Sequence, residues 1–280
     1  MSAEQSVNLT AQLLAHLQSL KASGVLFMPR GEPLPLPTLI PVSTAPAPAP
    51  RLAPEPVAAS ASPVVSRDET PSLFAQPAAI PDSPEGRRKA LTLLAGEVSG
   101  CDLCGELFST RTQTVFGVGP IDPEVAFVGE APGADEDRLG EPFVGRAGQL
   151  LDRIIVRCGF ARRDVYIFNT LKCRPPNNRQ PTPSECANCR PFFERQFDLV
   201  RPKYVVAVGA VAAKNLLQTT EGIGLLRGKV YEYRKRPLIC TYHPSALLRD
   251  VSKTKWWECW EDMKLLLKTM GRLIPDDRPG

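Results

Sequence analysis

This sequence predicts an α/β fold in which a parallel sheet is covered on both faces by helices, and three observations carry that prediction. Short apolar runs of strand length recur at 124–129 (EVAFVG), 164–169 (DVYIFN), 203–209 (KYVVAVG) and 238–242 (LICTY). Segments with helical periodicity separate them at 147–158, 183–199 and 210–217, and "KTKWWECWEDMKLLLKTM" follows the last. Strands joined through helices pair in parallel, and a sheet whose strands are apolar throughout must be buried on both sides. The 280 residues, 43% of them hydrophobic, supply one good-sized core.

In chain order, the first segment is 7–23, "VNLTAQLLAHLQSLKAS". It sets Leu9, Leu13, Leu14, Leu17 and Leu20 at helical spacing. A transient helix accounts for that pattern, and a docking peptide for a protein partner is the sharper alternative, so 1–28 forms a short amphipathic segment. Residues 29–84 hold 15 of the 29 prolines among Ala, Ser and Thr. Proline removes backbone donors and small side chains bury little area, which predicts a disordered, partly polyproline linker. Folded sequence begins near Ser83, where "SPEGRRKALTLLAGEVSG" reads as a capped helix, and the domain runs over 85–272 with a tail at 273–280.

A formal net charge of +4 and a pI near 8.6 permit a polyanionic partner without requiring one. There is no run of about eighteen apolar residues and no basic, apolar and small-residue succession at the N-terminus, so the expectation is a cytoplasmic protein without a membrane anchor. In that compartment the eight cysteines read as metal ligands or core residues rather than disulfides.

Five of the eight stand in suggestive places. "CDLC" gives Cys101 and Cys104, "LKCRPP" gives Cys173, and "ECANCRPF" gives Cys186 and Cys189. A two-residue gap lets two thiolates reach one centre from a single turn, and later cysteines can close a four-thiolate site. Zinc and a cubane cluster satisfy such spacing equally. Cys158, Cys240 and Cys259 fall inside regular patterns and read as small core hydrophobes.

"VAFVGEAPGADEDRLGEPFVGRAG", 125–148, poses a different problem. A strand ends in a glycine turn, as in many phosphate cradles, yet Glu130, Asp135, Glu136, Asp137 and Glu141 follow and would repel a phosphate. Glu130 projects its carboxylate over the sheet edge, while Asp135 to Asp137 read as a solvated loop face. Phe143, after a proline-fixed bend, can stack on a planar heterocycle or simply cover the core. Asn169 ends "VYIFN" with an acceptor and a donor pair that complement the N3–H and O4 edge of uracil; as a turn former after a strand it is also commonplace.

The third constellation is "TYHPSALLR", 241–249. His243 is one of two histidines, and the other, His16, lies in the N-terminal tail. Ser245 and Arg249 can meet a phosphate, and Leu247 and Leu248 can wedge a duplex. The plainer reading is a core histidine ahead of a helix that Ser245 caps.

Together, "GEAPGADEDRLGEPFVGRAGQLLD", "NTLKCRPPNNRQPTPSEC", "RPKYVVAVGAVAAKNLL" and "HPSALLR" resemble the family-four uracil-DNA glycosylases, the iron–sulfur branch of that superfamily. The resemblance runs from about Gly100 to the final helix. It implies a three-layer α/β/α sandwich with a four-stranded, mainly parallel sheet, and a [4Fe–4S] cluster held by Cys101, Cys104, Cys173 and Cys189. Cys186 stands where the family usually has an apolar residue and is a rival ligand. The resemblance further implies Phe143 as the stacking residue, Asn169 as the reader of the uracil edge and His243 as the donor near O2. Glu130 becomes the residue that orients or activates water, with Gly129 and Ala131 lining the site through their backbone. Relatives with the motif GQDPYH carry an aspartate at the position of Ala131. Relatives that trap DNA covalently carry a basic loop with a histidine where this chain has "KCRPPNNR", so ordinary turnover is expected.

The function so implied is monofunctional excision of uracil from single- or double-stranded DNA by a monomer in base excision repair. The base is flipped out of the stack, leaves as an anion, and water captures the sugar. Arg146, Lys172, Arg174, Arg179 and Arg249 are the candidates for holding backbone phosphates. Three rivals stand beside this reading. One is a zinc-stabilised DNA-binding module without catalysis, another is the same fold acting on other deaminated bases, and the last is a cysteine hydrolase built on Cys240 and His243. Two residues three apart on a strand face opposite ways, which opposes the last.

Overall fold

The computed structural model describes residues 80–275, so the expectations for the N-terminal segment and for most of the linker lie outside the described residues. The described residues open with helix α1 (Pro84–Ser99), whose first turn is capped by Ser83: the Gly86 N–H donates to its Oγ at 3.1 Å. Pro84 sits where an amide proton would be unpaired in any case. A short helix α2 (Gly105–Thr110) precedes the first strand, β1 (Val125–Gly129). Then come α3 (Ala134–Leu139), α4 (Arg146–Arg157), β2 (Tyr166–Asn169), α5 (Pro183–Val200), β3 (Tyr204–Val208) and α6 (Ala210–Leu217). The chain closes with α7 (Ile223–Leu226), β4 (Val230–Tyr233), β5 (Arg236–Thr241), α8 (Pro244–Leu248) and α9 (Thr254–Thr269).

The sheet order is β2-β1-β3-β5-β4, parallel except for the β4–β5 hairpin. All four strands expected from the sequence are present, and β4 is a fifth, antiparallel edge strand that no sequence signal marked. Its turn residues, Arg234 and Lys235, both adopt positive φ, at 48° and 63°, where Asn-Gly or Asp-Gly would announce a hairpin.

Alternate residues of each strand feed two different cores, which makes the three layers. Val125, Phe127, Ile167, Val206 and Ile239 face α4 and α9 through Leu151, Ile155, Trp260 and Met263. Ala126, Val128, Phe168, Val205 and Leu238 face α5 and α6 through Phe193, Phe197, Ala213 and Leu216. Cys158, Cys240 and Cys259 are buried within these cores, as expected of small hydrophobes. Arg87 of α1 is 2% exposed; it pairs with Asp122 and donates to the Leu199 carbonyl at 3.1 Å, tying α1 to the end of α5. Among the described residues no helix is long and apolar enough to cross a membrane.

The chain passes from β1 to β2 on one side and then crosses back to β3 on the other, so the strand order reverses beside β1. In parallel sheets such a point leaves a crevice outside the carboxyl ends of the strands. Here those ends present Gly129, Asn169, Val208 and Thr241.

Candidate active site

A cavity of about 520 Å³ opens at this crevice, and Glu130, Ala131, Phe143, Asn169, His243, Ser245 and Arg249 all line it. These are the residues singled out in the sequence from three separate stretches, and the fold collects them at one place. Gly129 lies directly behind: a Cβ there would stand 2.6 Å from Phe143 Cζ and would collide with Asn169 Oδ1. The glycine turn therefore makes room for a ring and an amide.

Asn169 is 2% exposed, and its Oδ1 has no hydrogen-bond partner. Buried amide oxygens are rarely left unpaired, which sets this acceptor apart among the described residues. Its backbone is fixed by the parallel register Gly129↔Asn169 and by Lys172, whose Nζ donates to the Asn169 carbonyl at 2.8 Å.

Phe143 is 5% exposed and adopts φ 53°, in the left-handed region that bulky side chains avoid. Glu136 holds this loop. Its Oε2 accepts from Gly133 N at 3.0 Å, and its Oε1 accepts from Val144 N at 2.9 Å and Gly145 N at 3.0 Å. Arg162 anchors the other flank by donating to the Pro142 carbonyl at 2.6 Å. Gly148 completes the fit, since a Cβ there would overlap the Phe143 carbonyl group. Of the acidic run from Asp135 to Asp137 only Asp135 is a solvated face: Glu136 lines the cavity, and Asp137, 3% exposed, accepts from Thr112 N with both oxygens at 3.0 Å.

His243 sits 5.6 Å from Phe143, centroid to centroid. Its Nδ1 accepts from the Ser245 backbone N–H at 3.1 Å and lies 2.8 Å from the Ser245 hydroxyl. A backbone N–H can only donate, so Nδ1 is unprotonated and the ring proton resides on Nε2. Burial pushes the His243 pKa down to about 4, with the Arg249 charge adding to the effect and Glu136 opposing it. The ring is a neutral donor at neutral pH. Burial also raises the Glu130 carboxyl above its ordinary value.

Several expectations are corrected here. Ser245 does not cap α8; His243 is the N-cap, and Ser245 serves its ring. Leu247 is 7% exposed and belongs to the core, leaving Leu248, at 45%, as the exposed leucine of the pair. Lys172 is 1% exposed and cannot reach a phosphate. Arg179 is taken up by Glu185, at 2.7 and 2.9 Å, and by Glu106 at 2.5 Å. Arg174 donates to Asn178 Oδ1 at 2.8 Å. Sequence reasoning missed Tyr242 in the cavity wall and gave Gly148 no role; "GRAG" held the only signal for the latter, a small residue inside a helix start.

Cys101, Cys104, Cys173 and Cys189 line a second, smaller cavity together with Leu107, Arg111, Leu171 and Lys172. Arg111 donates to Cys173 Sγ at 3.0 Å, and the Asn188 amide donates to Cys104 Sγ at 3.5 Å. Burial pushes the Cys189 thiol up to about 12, while the Lys172 charge and backbone N–H act to lower it. Among the described residues no three His, Cys, Asp or Glu side chains converge as the ligands of one ion would. Cys186 is outside this cavity, in the field of Glu130 and hydrogen-bonded with Asn215.

An α/β/α sandwich with an amide-bearing strand end, a neutral histidine and a carboxylate around one crevice defines a base-binding enzyme scaffold, and residues 116–264 match the model of the uracil DNA glycosylase superfamily. The chain is 44% identical over 195 residues to a type-4 uracil-DNA glycosylase of Archaeoglobus fulgidus, covering 67% of this chain and 96% of that one. It is 42% identical to one of Thermotoga maritima, covering 59% and 87%. A type-5 uracil-DNA glycosylase of Pyrobaculum aerophilum is 32% identical over 146 residues, covering 46% and 64%. The chain belongs to the uracil-DNA glycosylase superfamily, in its type-4 family.

Proposed function

We propose that this protein excises uracil from DNA by hydrolysing the N1–C1′ bond of a flipped nucleotide. The observation that carries the reading is the buried, unpartnered Oδ1 of Asn169 at the cavity wall. It accepts from uracil N3–H while the amide nitrogen donates to O4. Cytosine presents an acceptor and a donor at those two positions and leaves both halves of the amide opposed.

The remaining residues act on the charge that develops. Phe143 packs against the face of the base. As the N1–C1′ bond breaks, its electron pair stays with uracil, and the Nε2–H of His243 donates to O2, where the negative charge grows. A neutral histidine gives this hydrogen bond without surrendering its proton. The Glu130 carboxylate faces the sugar as it turns cationic and holds the water whose oxygen bonds to C1′, taking up the water's proton. Burial raises the Glu130 pKa, which makes the carboxylate a better base than one in open water. Arg146, Arg174 and Arg249 are the phosphate contacts, since Lys172 is buried and Arg179 is held by Glu185 and Glu106.

The four cysteines around the second cavity suit a [4Fe–4S] cluster: they are thiol donors with N–H groups and cations aimed at the sulfurs, spread around a space instead of focused on one point. A single zinc needs four donors within about 2.0–2.3 Å of one centre. When bound, such a cluster ties the segment of Cys101 and Cys104 to the chain that follows Asn169. Cys189, not Cys186, completes the set.

The test is cleavage of a labelled oligonucleotide bearing one uracil, with thymine and hypoxanthine controls, by wild type, Glu130→Ala and Asn169→Ala. Alkali-labile product from uracil alone, lost in both variants, is the expected result. Absence of product despite retained DNA binding overturns the assignment. Iron and sulfide content with absorbance near 400 nm checks the cluster separately.

A further inference from the structure

Lys172 is wholly inside the protein, and its surroundings are unusual for a cation. Its Nζ donates to the carbonyls of Asn169 at 2.8 Å and Phe116 at 3.2 Å and to Gln196 Oε1 at 2.5 Å. The rings of Phe168 and Phe193 lie 5.0 and 5.7 Å from it. Every one of these partners is neutral; the three acceptors match the three N–H donors of an ammonium, and Lys172 lines the cavity around which Cys101, Cys104, Cys173 and Cys189 stand. A buried ammonium without a counter-charge is costly, and hydrogen bonds to neutral acceptors offset only part of that cost. A neutral side chain of this length would fill the space more cheaply, so the placement calls for an anionic neighbour.

We propose that Lys172 is a positioning residue that couples the cysteine site to the base site. Its charge answers the anionic thiolates on one side, and its hydrogen bond fixes the Asn169 backbone on the other. The inference rests on the iron–sulfur reading of the four cysteines. It follows that filling the thiolate site stabilises the ammonium in place, and the ammonium holds the strand end from which the Asn169 amide reaches the base. Gln196 steadies the arrangement: its Nε2 donates to the Tyr166 hydroxyl at 2.9 Å and to the Phe116 carbonyl at 3.0 Å while its Oε1 accepts from Lys172.

Two substitutions separate charge from geometry. Lys172→Met removes both the charge and the hydrogen bond to Asn169. Gln196→Glu keeps an acceptor for Nζ and sets a negative charge beside it. Each protein is purified anaerobically, and iron, sulfide, the cluster midpoint potential, kcat and KM on a single-uracil oligonucleotide are measured. A positive charge near a cluster favours its reduced form, so the midpoint moves to more negative potential in both variants. In Lys172→Met kcat falls by about tenfold or more while KM stays within about threefold, because the lysine touches no DNA; in Gln196→Glu kcat stays within about threefold. An unchanged midpoint in iron-loaded Lys172→Met, or an unchanged kcat, overturns the proposal. Where Lys172→Met folds poorly or loses its iron, the Gln196→Glu midpoint decides: a negative shift upholds the proposal and no shift overturns it. Wild type that excises uracil but carries no iron or sulfide overturns this inference together with the cluster reading and leaves the glycosylase reading standing. Iron-loaded wild type that excises nothing overturns the glycosylase reading instead.

Discussion

His243 carries its proton on Nε2 because Nδ1 already accepts from the Ser245 backbone, and burial holds its pKa near 4, below the ordinary value of 6.5. Between those two values the unfolded chain binds a proton that the folded one refuses. The contribution of His243 to stability is therefore complete above about pH 6.5 and is lost as the pH falls toward 4, by about 3 kcal/mol in all. Denaturant unfolding at pH 7 and pH 5 should show wild type losing more stability than His243→Gln over that interval; equal losses would contradict the neutral ring. Asn169→Ala should lower kcat/KM on uracil by about a hundredfold or more, with the cysteine site intact. At this scale the sequence told much of the story, because Glu130, Phe143, Asn169 and His243 are recognisable from their motifs. It placed Lys172 among the phosphate contacts, because a basic residue in "LKCRPP" gives no sign that the fold buries it, and it did not reveal what Glu136 holds, since that acceptor role depends on backbone N–H groups eight and nine residues further on.

Among the elements, the turn between α3 and α4 shows most clearly how a helix start is used to hold a side chain. Phe143 keeps a left-handed backbone because Glu136 ties three N–H groups around it and Gly148, in the first turn of α4, leaves space for its carbonyl. Gly148→Ala would force that carbonyl away, so kcat should drop by about tenfold or more with a loss of roughly 1–3 kcal/mol in stability. Excision kinetics and thermal unfolding check this. Glu136→Ala should act in the same direction by leaving Gly133, Val144 and Gly145 N–H groups unpaired, at about 1–3 kcal/mol. The long elements were legible because periodicity needs several residues to show. The strands β1, β2, β3 and β5, equally short, were legible as apolar runs, whereas α2, α3, α7 and β4, four to six residues each, carry neither signal and were not. For β4, tertiary pairing to β5 overrides a turn sequence that lacks glycine.

For the whole molecule, the relevant property is how a polyanion reaches a crevice rimmed by carboxylates. The formal charge of +4 is small, and most of the arginines that the structure accounts for are paired with acids, as with Arg195 and Glu97 or Arg234 with Asp198 and Glu194. Arg249 lines the crevice, and Arg146 begins α4 next to the lining residue Ala147. Affinity for DNA should fall steeply with added salt, and Arg249→Ala should reduce the slope by about one contact; fluorescence anisotropy titrations at several salt concentrations check both. The α/β class and its two buried sheet faces could be read directly from the alternation of strands and helices. Which arginines are free could not, because pairing joins residues as distant as Glu97 and Arg195 or Glu106 and Arg179.

The strand order β2-β1-β3-β5-β4 also sets a timetable. Synthesis proceeds from the N-terminus, so Glu130 and Asn169 leave the ribosome well before His243, which waits at the end of the strand that pairs with β3. Until β5 has emerged and docked, the nascent chain owns a reader for the base but no donor for the departing anion. On the proposed mechanism, a partly made copy can hold a uracil without completing its excision.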